Sequence, residues 1–337
     1  MSELSLETVR AARDNIRDVA VHTPLIPSPF FSELTGLEVL LKLETMQPIG
    51  AFKLRGAANA IRNLPDGVKG VACCSTGNHG RGVAYAAKRA GLRAVICMSE
   101  MVPKTKVDGI RALGAEIRII GQSQDDAQDE VLRLVAQEGL TEISPFDDVD
   151  VIAGQGTIAL ELLESRPDLE TLLIPLSGGG LAGGIAMAAK SMKPTIRIIG
   201  ISMDVGAAMH AAIRAGHPVA VTEVGSLADS LGGGIMEDNR LTLDLCTRYL
   251  DDTILVSEAE IYRAMQRAFY EDRLVAEGGS CVTLAALETG RCGDIRGPVA
   301  AILSGRNVDS RMFADIVAGR DLTLGTTRIA GQPYPER

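Results

Sequence analysis

Four stretches of the sequence carry side chains able to do covalent or acid–base chemistry. GAFKLRGA sets Lys53 directly after the ring of Phe52, among small residues. STGNHG places Ser75, Thr76, Gly77, Asn78 and His79 in a strand-to-helix turn. SGGGLAGG runs Ser177, Gly178, Gly179, Gly180 and Leu181 into a second such turn. LSGRNVD follows an apolar strand and offers Ser304 and Arg306. A neutral lysine amine is a nucleophile and a base. A glycine-rich turn at a helix N-terminus bares backbone N–H groups at the positive end of the dipole, which suits a phosphate. Hydroxyls and an amide can bond ring heteroatoms. Each stretch alone also has a plainer account. Lys53 could snorkel from a helix face, the Ser75 turn could be a cap, the glycines could serve close packing, and Ser304 could sit in a polar turn.

Together the four make the kit for a phosphorylated aldehyde cofactor: a lysine, a phosphate nest, an amide for a ring oxygen and a partner for a ring nitrogen. A competing pattern shares the same glycines. Gly178, Gly180 and Gly183 fit G-x-G-x-x-G, and Asp204 follows Gly183 by about 20 residues at the end of the next strand, a dinucleotide fingerprint. That reading leaves Lys53, Asn78 and Ser304 without a task and sets the fingerprint in mid-chain.

The elements that must position these residues alternate. GVACCST, RAVICM and AEIRIIG read as strands, each followed by a helical pattern. A second series has TIALELLESRP as helix, TLLIPL as strand, GGLAGGIAMAAKSMKP as helix and IRIIGISM as strand. Continuous apolar strands alternating with helices imply parallel sheets. In such sheets, loops at the strands' carboxyl ends bind ligands. Two α/β lobes are expected, a small mobile one of residues 70–148 and a large one of 1–69 and 149–337. The tail from Thr323 is polar and is expected to be loose. The 337 residues carry 43 acidic against 34 basic side chains, a net charge of −9, with no basic face for nucleic acid. No apolar run is long enough to span a membrane. The N-terminus is an amphipathic helix, unlike a signal peptide. Six cysteines without C-x-x-C spacing read as reduced thiols in a cytoplasmic protein, and the four histidines lack metal-ligand spacing.

GAFKLRGA, STGNHGRGVAYAAK, AGQGTIALELL, SGGGLAGG and LSGRNVD, in this order, resemble the fold-type II pyridoxal-phosphate enzymes, of tryptophan synthase beta-like fold. Within them the serine/threonine dehydratase and serine racemase branch is most similar. The resemblance runs from about His22 to Val317. It implies two open parallel-sheet lobes with pyridoxal 5'-phosphate between them, and a homodimer. Lys53 then matches the lysine that anchors the cofactor, and Phe52 the ring beside it. Asn78 matches the amide on the cofactor's phenolic oxygen, Ser177 to Leu181 the phosphate loop, and Ser304 the partner of the pyridine nitrogen. Ser75 and Thr76 match the substrate-carboxylate site, with Gly77 and His79 beside them. Gln155 to Thr157 are expected to line the cleft, and Glu277 matches an acid near cofactor and substrate. Lys53, Ser75, Thr76 and Glu277 are the expected catalytic set.

The implied activity is elimination from a β-hydroxy amino acid, giving a keto acid and ammonia. Racemisation or β-replacement is the alternative on the same fold. As a neutral partner, Ser304 is expected to leave the pyridine nitrogen largely unprotonated. The departures from the family pattern are specific. Ala51 replaces a serine before Phe52. Ser202 and Ala208 stand where metal-binding members have carboxylates, so no divalent-cation site is expected. Glu277 is followed by Gly278-Gly279-Ser280 instead of Pro-Ser-Gly, so this loop is expected to differ. Arg306 replaces a glycine, and a guanidinium there could grip a second substrate carboxylate or point to solvent. These departures are most similar to hydroxyectoine-utilisation dehydratases.

Overall fold

The computed structural model describes residues 4–75, 77–100, 102 and 104–335, apart from the side chains of 104–106 and 124. The strands are β1 (Leu25–Pro27), β2 (Val39–Leu43), β3 (Val71–Cys74), β4 (Ala94–Met98), β5 (Glu116–Ile119), β6 (Thr141–Glu142), β7 (Thr171–Pro175), β8 (Arg197–Met203), β9 (Asp252–Val256), β10 (Val299–Leu303), β11 (Leu322–Leu324) and β12 (Thr327–Ile329). One sheet has the order β1-β2-β10-β7-β8-β9 and is parallel except for the antiparallel edge strand β1. The second has the order β5-β4-β3-β6 and is parallel throughout.

Both sheets are covered on two faces, which is why their strands read as unbroken apolar runs. Alternate residues of the large sheet face opposite cores. Leu173, Ile199, Ala301 and Leu303 pack with the helices Glu258–Tyr270 and Gly278–Glu288. Leu172, Ile174, Ile198 and Ile302 pack with Val149–Ser165 and Gly180–Met192. In the small sheet, Val71, Cys73 and Ile96 pack against Lys53–Arg62 and Asn78–Ala90. Ala72, Val95 and Cys97 pack against Gln124–Glu138.

The helix starting at Lys53 thus shares its core with the small sheet, although residue 53 lies before the expected boundary at 69. Its apolar face (Leu54, Ala57, Ala58, Ile61) meets β3 and the Asn78–Ala90 helix in a core that also takes in Ile16, Val19, Ala20, Ile49 and Val151. The Val149–Ser165 helix begins eight residues before the predicted TIALELLESRP segment. Asp148 caps it by accepting from the amides of Asp150 and Val151, and the glycines at 154 and 156 break the apolar period there.

The tail corrects its expectation. Residues 322–329 form the antiparallel hairpin of β11 and β12. Beyond it Tyr334 stacks on Tyr270 at 4.3 Å, and its hydroxyl accepts from Arg267 at 2.6 Å. Gln266 donates to the carbonyl of Gln332 at 2.7 Å. Polar composition concealed an aromatic and hydrogen-bonded anchor on the Glu258–Tyr270 helix.

Candidate active site

The chemistry-bearing loops leave the carboxyl ends of four parallel strands: β2 toward Lys53, β3 toward Asn78, β7 toward Ser177 and β10 toward Ser304. Two of them are tied together by main chain. Ala51 and Gly305 form an antiparallel bridge. The Phe52 amide donates to the Ser304 carbonyl at 2.9 Å, and the Arg306 amide to the Gly50 carbonyl at 2.9 Å. Gly50 must be glycine for two reasons. Its φ is +76°, and a Cβ there would lie 2.9 Å from Asn307 Oδ1.

Lys53 opens its helix, half-buried, and its Nζ donates to the carbonyl of Pro145 at 2.6 Å. The amine stands 5.4 Å from the Phe52 ring centroid. Desolvation pulls it down to about 8 from its ordinary range, because burial penalises the ammonium. A substantial fraction is therefore neutral and nucleophilic just above neutral pH. Two residues on, Arg55 is fully buried. Its guanidinium grips Glu44 (Nε–Oε2 2.8 Å, Nη2–Oε1 2.8 Å) and Glu161 (Nη1–Oε1 2.6 Å, Nη2–Oε2 3.0 Å). Lys42 donates to Glu161 at 2.5 Å. The network carries two positive and two negative charges and joins the Lys53 helix to β2 and to the Val149–Ser165 helix.

Glu277, 5% exposed, precedes the Gly278–Glu288 helix. Its Oε1 accepts from Asn78 Nδ2 at 2.8 Å and its Oε2 from the Asn307 amide at 3.0 Å. Asn307 Nδ2 donates to Asn78 Oδ1 at 2.7 Å and to the Ile49 carbonyl at 2.9 Å. Both polar atoms of the Asn78 amide are thus held, and its orientation is fixed. Burial, then repulsion from Asp229, raises the Glu277 carboxyl to about 7 against the lowering by Asn78, Asn307 and Ser230. Ser304 is 3% exposed, with its Oγ 3.1 Å from Ser280 Oγ.

The departure after Glu277 has a steric cause. A Cβ at Gly278 would lie 2.2 Å from the Leu227 carbonyl oxygen, and one at Gly279 2.2 Å from Ser230 Oγ. The 227–231 segment occupies the space that Pro-Ser would need.

The glycine loop leads into the Gly180–Met192 helix. Gly179 takes a left-handed φ of +87°, and among the described residues no side chain caps this N-terminus. The amides of its first turn are therefore left to an anion, in a loop that is itself buried from Gly178 to Leu181. A Cβ at Gly178 would sit 2.3 Å from Phe146 Cδ1. The Phe146 ring lies against the loop, one residue after the carbonyl that receives Lys53. Asp147 anchors this segment by accepting from the amides of Arg240, Leu241 and Thr242 at 2.8–3.0 Å.

The remaining predicted residues are placed as follows. Thr76 lies outside the described residues. Ser75 is half-buried, and its Oγ accepts from the Gly77 amide at 3.4 Å. Gly77 has open space where a Cβ would be. His79 is buried, with Nε2 2.8 Å from the Ile143 carbonyl and Nδ1 without a hydrogen-bond partner among the described residues. Burial, then the Lys53 charge, push it down to about 3, so the ring is neutral. The expected cleft-lining set is split. Gln155 is buried toward the Lys53 helix, its Nε2 2.3 Å from where a Gly56 Cβ would stand. Thr157 faces Arg55, accepting from Nη1 at 3.0 Å. Arg306 is exposed, with Nη1 3.7 Å from Met46 Sδ. Asp204 is exposed at the end of β8, its amide bonded to the Val256 carbonyl.

The family described as "Pyridoxal-phosphate dependent enzyme" matches residues 16–305. The chain belongs to this family. It is 52% identical over 321 residues to a Sinorhizobium fredii protein named "Putative threonine dehydratase", covering 95% of this chain and 97% of that one. It is 37% identical to the L-threonine ammonia-lyase of Thermotoga maritima, covering 93% of this chain and 78% of that one. Among solved structures, maize serine racemase superposes with a TM-score of 0.87 at 30% identity, covering 93% of this chain and 97% of that one. The processed threonine deaminase isoform 2 of Solanum lycopersicum gives 0.86 at 33%, covering 92% and 86%. The fold is fold-type II, the cofactor is pyridoxal phosphate, and the protein is a lyase of threonine dehydratase type. The site residues fit this cofactor: an amine near 8, a glycine turn and an oriented amide all follow the carboxyl ends of parallel strands, two in the large sheet and one in the small. The dinucleotide reading of Gly178 to Gly183 with Asp204 gives way to it.

Sequence reasoning missed Asn307, Pro145, Phe146 and Ser280. Asn307 was visible inside LSGRNVD and passed over for Arg306. Pro145 and Phe146 carry no pattern of their own and matter through their contacts with Lys53 and Gly178.

Proposed function

We propose that the protein eliminates water from a β-hydroxy amino acid, leaving an enamine that one water then hydrolyses to a keto acid and ammonia. The observation that carries this reading is Lys53. Its amine is lowered to about 8 and stands at the meeting of the strand-end loops. Bound pyridoxal phosphate would act as an electron sink that acidifies the substrate Cα proton. Lys53 holds the cofactor and takes that proton as general base. The Ser177–Leu181 amides would hold the phosphate, and Asn78, locked by Asn307 and Glu277, would bond the ring oxygen. Ser304 would face the ring nitrogen, and Ser75 and Thr76 would receive the substrate carboxylate.

The finer substrate reading rests on Arg306. It replaces a small residue beside Ser304, is exposed, and makes no ion pair among the described residues. We assign it to a second carboxylate on the substrate, and place a hydroxyectoine-derived amino acid beside threonine and serine as the compounds to compare. The test is chemical. Borohydride reduction of the purified holoprotein should fix the cofactor on Lys53, found by peptide mass, and Lys53→Ala should release no ammonia from any of the three. Label on another lysine, or ammonia release by the variant, refutes the assignment.

A further inference from the structure

Ser280 lies in the first turn of the Gly278–Glu288 helix and is fully buried. Its Oγ is 2.7 Å from the Gly305 carbonyl oxygen, 2.6 Å from the Gly305 amide nitrogen and 3.1 Å from Ser304 Oγ. A serine hydroxyl has one hydrogen and two acceptor lone pairs. The carbonyl can only accept and the amide can only donate. The carbonyl is closer than the Ser304 hydroxyl and is the better acceptor, so it takes the Ser280 hydrogen. The amide fills one lone pair. Only a second lone pair is left facing Ser304. Across the 3.1 Å contact Ser304 is therefore the donor.

We propose that Ser280 is a positioning residue: it draws the Ser304 hydrogen to itself and turns a Ser304 lone pair toward the ring nitrogen bound there. This rests on the reading that Ser304 faces that nitrogen. A lone pair so directed can bond only a nitrogen that carries a proton. A serine free to rotate would instead donate to the bare nitrogen. Ser280 thus favours the protonated ring, a stronger electron sink than a lone neutral hydroxyl provides. This works against the expectation drawn from Ser304 by itself.

The ionisable neighbours come from each packed element. Glu277 precedes Ser280, with Asp229 facing it from the 227–231 segment. The buried Cys281 thiol follows, held far above its ordinary range by desolvation and by Glu277. Lys53 follows Phe52, whose amide bonds the Ser304 carbonyl, and Arg306 turns toward Met46. The hydrogen bonds of Glu277, Lys53 and Arg306 go to other groups.

The experiment loads wild type, Ser280→Ala, Ser280→Cys and Ser304→Ala with pyridoxal phosphate labelled with ¹⁵N in the ring. The ring-nitrogen shift is then followed against pH. Ser280→Ala should titrate roughly one pH unit below wild type, the size of one hydrogen bond's preference. Ser280→Cys, a weaker acceptor at the same place, should fall between them and decides the matter if the alanine variant fails to fold. Ser280 variants that titrate with wild type overturn the proposal. If they do so while Ser304→Ala moves, only the Ser280 role fails. If Ser304→Ala is also unmoved, the placement of Ser304 fails with it.

Discussion

Glu277→Gln tests the electrostatics of the site without the cofactor. The Glu277 carboxyl is raised to about 7 from 4.5 chiefly by burial. A proton is therefore held more tightly in the folded chain than in the unfolded one. Its contribution to stability is complete below 4.5 and is lost as pH rises through 7, by about 1.4 kcal/mol per unit. Between about pH 5.5 and 8, wild type should lose about 2 kcal/mol from this group. Glutamine cannot titrate and loses nothing. It does set an NH₂ against a donor, either Asn78 Nδ2 or the Asn307 amide, because Asn307 holds Asn78 in place. That costs ~1–3 kcal/mol at every pH. The variant should therefore be less stable than wild type near pH 5.5 and should gain about 2 kcal/mol on it by pH 8. Urea unfolding of the cofactor-free proteins at half-unit steps measures the difference. A difference that stays flat, or moves the other way, refutes the raised carboxyl.

Gly178→Ala should drive a methyl into Phe146. It should destabilise the fold by ~1–3 kcal/mol and weaken cofactor uptake followed by absorbance, whereas unchanged uptake and unfolding would show that the ring yields freely. Arg55→Ala leaves Glu44 and Glu161 buried and short of a partner, and should cost ~3–5 kcal/mol in urea unfolding. A loss under about 1 kcal/mol would mean that the carboxylates take up protons or water cheaply. Arg306→Gly should lower kcat/KM roughly tenfold or more for substrates with a second carboxylate and leave threonine nearly unchanged. Equal loss on both substrates removes the grip.

The alternation of apolar runs with helical patterns made both parallel sheets legible, because a strand covered on both faces has no polar side to hide. Ser123 and Asp148 show how caps sharpen or move a boundary. Ser123 caps its helix, its hydroxyl accepting from the Asp126 amide. Asp148 set a start that the glycines at 154 and 156 concealed. Lys53, Asn78, the Ser177–Leu181 loop and Ser304 were legible as types, since an amine, an amide, a bare helix N-terminus and a hydroxyl keep their chemistry wherever they sit.

Only tertiary structure decided what those types are worth. Lysine sits near 8 because of what surrounds it, and Asn78 acquires a fixed orientation from residues some 200 positions away. Ser280 became significant through three contacts that no periodicity encodes. Glycines at 278 and 279 looked like an altered motif and proved to be the space taken by another loop. Local sequence fixes which groups are available and which elements carry them. Desolvation and hydrogen-bond direction depend on the packing of distant segments, and so they appear only when the chain is folded.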